Sequence, residues 1–162
     1  MKFEERHTFE QPAETVMRMY TDRAFFDRKY EAVGALECEL LEHSSTAECF
    51  VVEYRLVMNS DAPIPEVARK ILGSTVKLTQ RDTWDPATRT GRLDIVISGA
   101  PVKVGADMKV VDEQGRGVNI QSWSVDCRIP LVGGRIAAAL AEDIKLKSRR
   151  DMEVSRRIIL DY

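Results

Sequence analysis

Apolar and polar residues alternate over most of the chain before residue 133, with the period of two that is typical of β-strands. In the first strand, Phe3, His7 and Phe9 share one face with Glu5, and Pro12 ends the alternation. The pattern predicts about seven strands in all. They cover residues 3–9, 35–41, 46–58, 75–84, 89–98, 102–111 and 117–129. Short connections between successive strands favour an antiparallel sheet.

The final stretch, residues 133–162, changes to the period of an α-helix. It contains no proline, and Ile136, Leu140 and Ile144 fall on the apolar half of its helical wheel. A helix of this kind needs a large apolar partner surface, which the preceding strands can supply. The pattern therefore predicts an α+β fold in which a sheet covers a long C-terminal helix.

Shorter helices are expected between the strands. One begins behind Pro12, and a second begins at Asp22, whose side chain can cap a helix N-terminus. Both follow the first strand directly. A further short helix is predicted over residues 66–72, where it would cover an opening rather than join the sheet.

Composition narrows the class of protein. A chain of 162 residues that is 44% hydrophobic and 31% charged fits one domain with a substantial core, spanning residues 1–162. The net charge of −2 argues against a nucleic-acid binder. Residues 1–10 contain no apolar run, and no stretch is long and apolar enough to span a membrane, so we expect a cytoplasmic protein without integral membrane association. The odd number of cysteines, Cys38, Cys49 and Cys127, is typical of reduced thiols packed in a core.

The order of elements resembles the helix-grip fold of the START/Bet v 1-like (SRPBCC) superfamily, and most closely a bacterial family within it whose biochemical role is unassigned. The resemblance covers almost the whole chain. It rests on the strand at Phe3, the helix start Pro12-Ala13-Glu14-Thr15-Val16, Asp22 with Phe25 and Phe26, and the closing helix over residues 135–144. It implies a curved antiparallel sheet of about seven strands wrapped around the long helix, with two short helices after the first strand. The superfamily includes lipid carriers, hormone receptors, polyketide cyclases and chaperone activators, so the fold does not select one activity.

A sheet wrapped around a helix can enclose a cavity, and the inward faces predict which residues would line it. Apolar lining would supply most of the burial energy of a ligand, and a few polar groups would orient it. The predicted apolar and aromatic lining residues are Phe9, Tyr54, Leu56, Leu78, Met108, Trp123, Ile136, Leu140 and Ile144.

Five polar residues, His7, Gln80, Asp82, Lys147 and Asp151, share these faces and have two interpretations each. Lys147 and Asp151 are four apart on the apolar half of the long helix, so they either meet a ligand or form an ion pair at the helix flank. His7 is a candidate acid or base, or a hydrogen-bonded histidine at the edge of the core. Asp82 either faces inward beside Gln80 or is turned into water by a register change near the strand end.

We therefore expect a protein that binds an apolar small molecule, such as a lipid or a polyketide-like metabolite, between the sheet and the long helix. One alternative is an enzyme of the cyclase or dehydratase type that uses His7, Asp82, Lys147 or Asp151 as acid or base. Another is a protein-interaction module that uses the basic half of the helix or the loop with two prolines. With two histidines and no phosphate-binding or Gly-x-Ser-x-Gly motif, we expect no metal and no cofactor.

Overall fold

The computed structural model describes residues 1–60, 66, 69–70 and 73–162. The predicted helix over residues 66–72 and the opening beside it fall largely outside the described residues. The strands are β1 (Lys2–Thr8), β2 (Glu37–Ser45), β3 (Phe50–Asn59), β4 (Thr75–Asp85), β5 (Thr90–Ile97), β6 (Val102–Glu113) and β7 (Arg116–Cys127). The helices are α1 (Ala13–Tyr20), α2 (Arg23–Ala32) and α3 (Gly133–Ile158), and α3 continues into a 3-10 turn over Ile159–Asp161.

Within the described residues, the strands form one seven-stranded antiparallel sheet in the order β1-β7-β6-β5-β4-β3-β2. Strands β2 to β7 follow one another as a meander, and β1 closes the far edge by pairing with β7. Helix α3 packs across the sheet on β7 and also contacts α2. The predicted α+β architecture, a curved antiparallel sheet around a long C-terminal helix with two short helices after the first strand, is confirmed.

The β2–β3 hairpin turns later than the sequence predicted. Residues 43–45, expected as the turn, continue β2 and pair with residues 50–52 of β3. The turn lies at Thr46–Cys49, where the Thr46 hydroxyl accepts hydrogen bonds from the backbone N–H groups of Glu48 and Cys49. Cys38 and Cys49 are exposed rather than buried, because both faces of the edge strand β2 and its turn are open to solvent.

The two short helices begin where the sequence places them. Backbone N–H groups of Thr15 and Val16 donate to the carbonyl of Pro12 at the start of α1. The Asp22 side chain accepts from the backbone N–H of Ala24 at 3.0 Å and so caps α2. From this start, α2 turns Phe25 and Phe26 into the core, where each is 1% exposed.

Helix α3 begins in close contact with the end of β7. A Cβ atom added to Gly133 would lie 2.3 Å from the carbonyl oxygen of Cys127, whereas one added to Gly134 would meet nothing within 4 Å. Gly133 therefore lets the helix start against the strand, and this contact sets the distance between α3 and the sheet.

We expect Gly133→Ala to destabilise the protein by about 1–3 kcal/mol, because backbone atoms of β7 or α3 must shift to admit the methyl group. The measurement is the free energy of unfolding in urea. Gly134→Ala is the matched control, since it adds the same methyl group one residue later into open space, and it should be neutral or slightly stabilising. Equal effects from the two variants would contradict the argument.

Candidate ligand-binding cavity

A cavity of about 350 Å³ lies between the concave face of the sheet and helix α3. Its size falls within the range of about 300–1,000 Å³ that is usual for small-molecule sites. Helix α2 and strands β3 to β7 supply most of its apolar wall, and α3 supplies the opposite side. The aromatic part of that wall consists of Tyr20, Phe25, Phe26, Tyr30, Trp84 and Trp123.

Most of the residues proposed from the sequence lie on this wall. They are His7, Leu56, Leu78, Gln80, Asp82, Met108, Trp123, Leu140, Ile144, Lys147 and Asp151. The inward faces of β1, β3, β4, β6 and β7 and the inner face of α3 bring them together. Their part in ligand binding stays a prediction.

Phe9, Tyr54 and Ile136 were expected on the wall as well, but they lie in the packed core and do not line the cavity. Neighbouring side chains cover each of them. Phe9 packs edge-on against Tyr20, and Tyr54 lies against Phe26 and donates a hydrogen bond from its hydroxyl to Asp27 at 2.7 Å. Ile136 is 2% exposed near the start of α3. The alternation of apolar and polar residues identifies the inward face of an element, but not which residues on that face border the cavity.

The expected pair of Lys147 with Asp151 does not form. Lys147 bonds instead to Asp143, one turn earlier on the same helix, and Asp151 forms an ion pair with Lys29 of α2 at 3.6 Å. The reason is orientation, because an acid four residues before a base is the better helical arrangement. Asp151 is therefore left for a partner outside its own helix, and both carboxylates line the cavity.

Lys29 is the functional candidate that the sequence interpretation missed. The residue is 6% exposed and lines the cavity. Its ammonium nitrogen lies 5.6, 5.3 and 4.8 Å from the ring centroids of Phe25, Phe26 and Tyr30. Cation–π attraction to these rings offsets part of the cost of burying the charge. A lysine three and four residues after two phenylalanines stands on their side of a helix, and that spacing was the available signal.

Asp82 faces inward, and the alternative of a register change is wrong. Strand β4 continues to Asp85, and Asp82 pairs in register with Val52 of β3 and Leu93 of β5. Its side chain, 6% exposed, accepts a hydrogen bond from Gln80 at 3.2 Å. Burial raises the pKa of Asp82 from 3.8 to about 6, although Lys29 and Gln80 act in the opposite direction. A carboxyl group in this position can change its charge near neutral pH.

Burial also raises the pKa of Asp151, against the opposing effect of Lys29. Of its side-chain surface, 39% is accessible, and since Asp151 lines the cavity we attribute that surface to the cavity side. Asp151 therefore presents a carboxylate to any bound molecule.

His7 is held inside the wall by a hydrogen bond of 2.8 Å between its Nε2 atom and the Ser148 hydroxyl of α3. Burial lowers its pKa from 6.5 to about 4, and the positive charges of Arg156 and Lys29 add to that effect. The imidazole is therefore neutral at neutral pH. The Nε2 atom of His7 can therefore form a hydrogen bond either to Ser148 or to a ligand, but the ring brings no charge to the site.

Further polar groups on the wall were not anticipated from the sequence. Asn119 donates from Nδ2 to the Tyr20 hydroxyl at 3.2 Å, and Trp123 donates to Gln121 at 3.1 Å. Among the described residues, Asn119 Oδ1 and the Tyr30 hydroxyl are buried without a hydrogen-bond partner. The wall thus combines a mostly apolar surface with a limited set of polar groups at defined positions.

The described residues contain neither a metal-binding cluster nor a membrane-spanning helix. No group of three or more His, Cys, Asp or Glu side chains there is placed to hold a metal ion. No helix in that part of the chain has the length and apolar character needed to cross a membrane. The cytoplasmic location stays a prediction.

Solved structures define the class of fold. TTHA0849 from Thermus thermophilus aligns over 99% of this chain and 98% of its own, with a TM-score of 0.70 and 12% identity. The Zhui aromatase/cyclase from Streptomyces sp. R1128 aligns over 98% and 93%, with a TM-score of 0.69 and 15% identity. Ara h 8.0201 aligns over 100% and 99%, with a TM-score of 0.69 and 16% identity. These three likenesses show a shared fold, the helix-grip fold that the resemblance implied.

The family follows from the sequence itself. Residues 4–159 match the model of a family described as protein of unknown function (DUF2505), and the chain belongs to that family. No curated protein is similar enough in sequence to match the chain.

Proposed function

We propose that this protein binds a small apolar ligand, of the lipid or polyketide-like kind, in the cavity between the sheet and α3. The observation that carries the proposal is the cavity itself, an unfilled space of about 350 Å³ inside an otherwise packed core. Residues such as Leu56, Leu78 and Leu140 on its wall could pack against a ligand. Burial of apolar ligand surface against them supplies about 25 cal/mol for each Å² removed from water.

An enzyme of the cyclase or dehydratase type is the second candidate, and Asp82 favours it. A general acid or base works best when its pKa lies near the working pH, and the pKa of Asp82 is about 6. The likeness to an aromatase/cyclase concerns the fold, and it agrees with this alternative without selecting it. Accumulation of a changed product after incubation with a bound ligand would distinguish an enzyme from a carrier.

The protein-interaction alternative gains no comparable support. In the basic half of α3, Arg156 donates to the backbone carbonyl of Thr8, and Arg157 donates to that of Glu153. These side chains are already engaged within the chain. The loop with two prolines falls mainly outside the described residues.

We expect the purified protein, freed of co-purified molecules by extraction with organic solvent and refolding, to rise in melting temperature when naphthalene is added. A ligand that binds only the native state stabilises it by mass action. The Ile144→Trp variant should lose this response, because the larger ring occupies space inside the cavity wall.

The matched control is Leu146→Trp, two residues later on the same helix, at a position that is 47% exposed and not on the cavity wall. It should respond as the original protein does. A response that is unchanged in Ile144→Trp would place the bound naphthalene elsewhere and count against the proposal.

A further inference from the structure

Three charged side chains from three separate elements meet the cavity, and we call them the Lys29 cluster: Lys29 of α2, Asp82 of β4 and Asp151 of α3. Lys29 and Asp82 are each 6% exposed. Burying charged groups is costly unless they are paired and hydrogen-bonded. The cluster therefore needs an explanation beyond packing.

The hydrogen bonds of the cluster are incomplete. Lys29 approaches Asp151 only to 3.6 Å, which is longer than a hydrogen bond, and within the described chain its ammonium group has no closer oxygen partner. Asp82 accepts from Gln80 through Oδ2, and no described residue donates to its Oδ1 atom. One donor group and one acceptor atom on the same cavity wall are thus left for a ligand to satisfy.

The charges of the cluster restrict what that ligand can be. A ligand carboxylate would accept from Lys29 but would lie against the two carboxylates of Asp82 and Asp151. A ligand ammonium would be attracted by both carboxylates and repelled by Lys29, so the charges alone do not exclude it, but it would leave the N–H groups of Lys29 without an acceptor. A hydroxyl group carries no charge and can do both, because its oxygen accepts from Lys29 while its hydrogen is donated to Asp82.

We propose that the Lys29 cluster selects apolar ligands that carry a neutral hydroxyl group, and discriminates against the corresponding acids. This inference rests on the proposed function, since it assumes that the cavity takes an apolar ligand. It differs from the alternative in which Lys147 meets a ligand, because Asp143 already pairs with the Lys147 ammonium group.

The test compares three probes of one shape at pH 7.5 by isothermal titration calorimetry: 2-naphthol, naphthalene and 2-naphthoic acid. We expect 2-naphthol to bind at least about tenfold more tightly than naphthalene, because hydrogen bonds to charged groups are the stronger kind. The acid should bind more weakly than 2-naphthol by about tenfold or more. Asp82→Asn should reduce the preference for 2-naphthol over the acid by about fivefold or more, since one of the opposing carboxylates is gone.

Asp94→Asn is the matched control, because Asp94 lies on β5 with its carboxylate paired to Arg92 and outside the cavity wall. It should leave the order of affinities unchanged. Binding of naphthalene with binding of the acid that equals or exceeds that of 2-naphthol would overturn the inference and leave the proposed function intact. Failure of all three probes to bind would overturn both.

Discussion

Replacing Lys29 with methionine should lower the free energy of unfolding by about 3 kcal/mol at pH 7.5. The variant keeps an apolar side chain of similar length against Phe25 and Phe26 but removes the cation that lies 3.6 Å from Asp151. Removing one partner of a buried pair costs about 3–5 kcal/mol, because the other charge is left without compensation. We take the lower end since 39% of the Asp151 side chain is accessible. Urea unfolding followed by circular dichroism measures the change.

The double variant Lys29→Met with Asp151→Asn separates charge from packing. If the loss comes from the unpaired carboxylate, neutralising Asp151 should restore at least about half of the lost stability. The coupling energy from the double-mutant cycle of Lys29 and Asp151 should then exceed about 1 kcal/mol. If packing alone were lost, the second substitution would add to the first. The cycle therefore measures whether α2 and α3 are held together by this charge pair.

Lys145→Met is the matched control for the same substitution. Lys145 also lies over an aromatic ring, at 5.1 Å from Phe3, and pairs with Glu142 at 2.8 Å, but at the protein surface. Exposed pairs of this kind contribute about 0–1 kcal/mol. A Lys29→Met variant that costs no more than Lys145→Met would refute the idea that Lys29 is a buried, compensating charge.

The sequence allowed most of the fold to be predicted because the sheet has one buried face along most of its length. Strand β6 is an example, since Val102, Val104, Ala106, Met108 and Val110 are all buried and alternate with more exposed residues. The long helix was equally clear, since Ile136 and Leu140 fall on its buried side. The hairpin after β2 was harder to place, because the hydroxyl of Thr46 fixes the turn through contacts that alternation does not encode.

The candidate site was predictable as a face but not as a set of pairs. Asp143 and Asp151 compete for Lys147, and Asp143 forms the pair. Asp151 instead forms an ion pair with Lys29, which is 122 positions away in another helix. A helical wheel describes one helix and gives no account of its neighbour. The cavity could not be predicted from one helix either. Its size depends on the distance between α3 and the sheet, and that distance depends on contacts such as Gly133 against Cys127.

The most informative pH-dependent effect concerns two groups on the cavity wall whose pKa values are shifted in opposite directions. Burial raises the pKa of Asp82 from 3.8 to about 6, so the native state binds more protons than the unfolded chain between these values. Stability from this group therefore falls as the pH rises through that range. Burial lowers the pKa of His7 from 6.5 to about 4, so the native state binds fewer protons there and stability rises with pH. In the original protein, the contributions of Asp82 and His7 to the pH dependence of the free energy of unfolding therefore oppose each other.

We expect Asp82→Asn to be more stable than the original protein by about 3 kcal/mol at pH 7.5, because it removes a buried charge whose pKa shift corresponds to a cost of that order. The gain should fall to about 0.5 kcal/mol at pH 4, because native Asp82 is then protonated and the carboxyl group in the unfolded chain is only partly ionised. His7→Gln should behave in the opposite sense, with a gain of about 3 kcal/mol near pH 4 that is lost by pH 7.5. Urea unfolding at pH 4, 5, 6 and 7.5 measures both curves.

Subtraction from the original protein isolates the effect of each substitution from the other groups that interact electrostatically with Asp82. Those are Lys29 of α2, Asp151 of α3 and Asp94 of β5, together with the phenols of Tyr20 and Tyr30. Asp94→Asn, an exposed carboxylate of the same sheet, should stay within about 0.5 kcal/mol of the original protein at every pH. An Asp82→Asn variant that is less stable than the original protein at pH 7.5 would mean that the carboxylate stabilises the fold. The opposite result, a more stable protein with altered ligand preference, would identify Asp82 as a group that costs stability and serves ligand recognition.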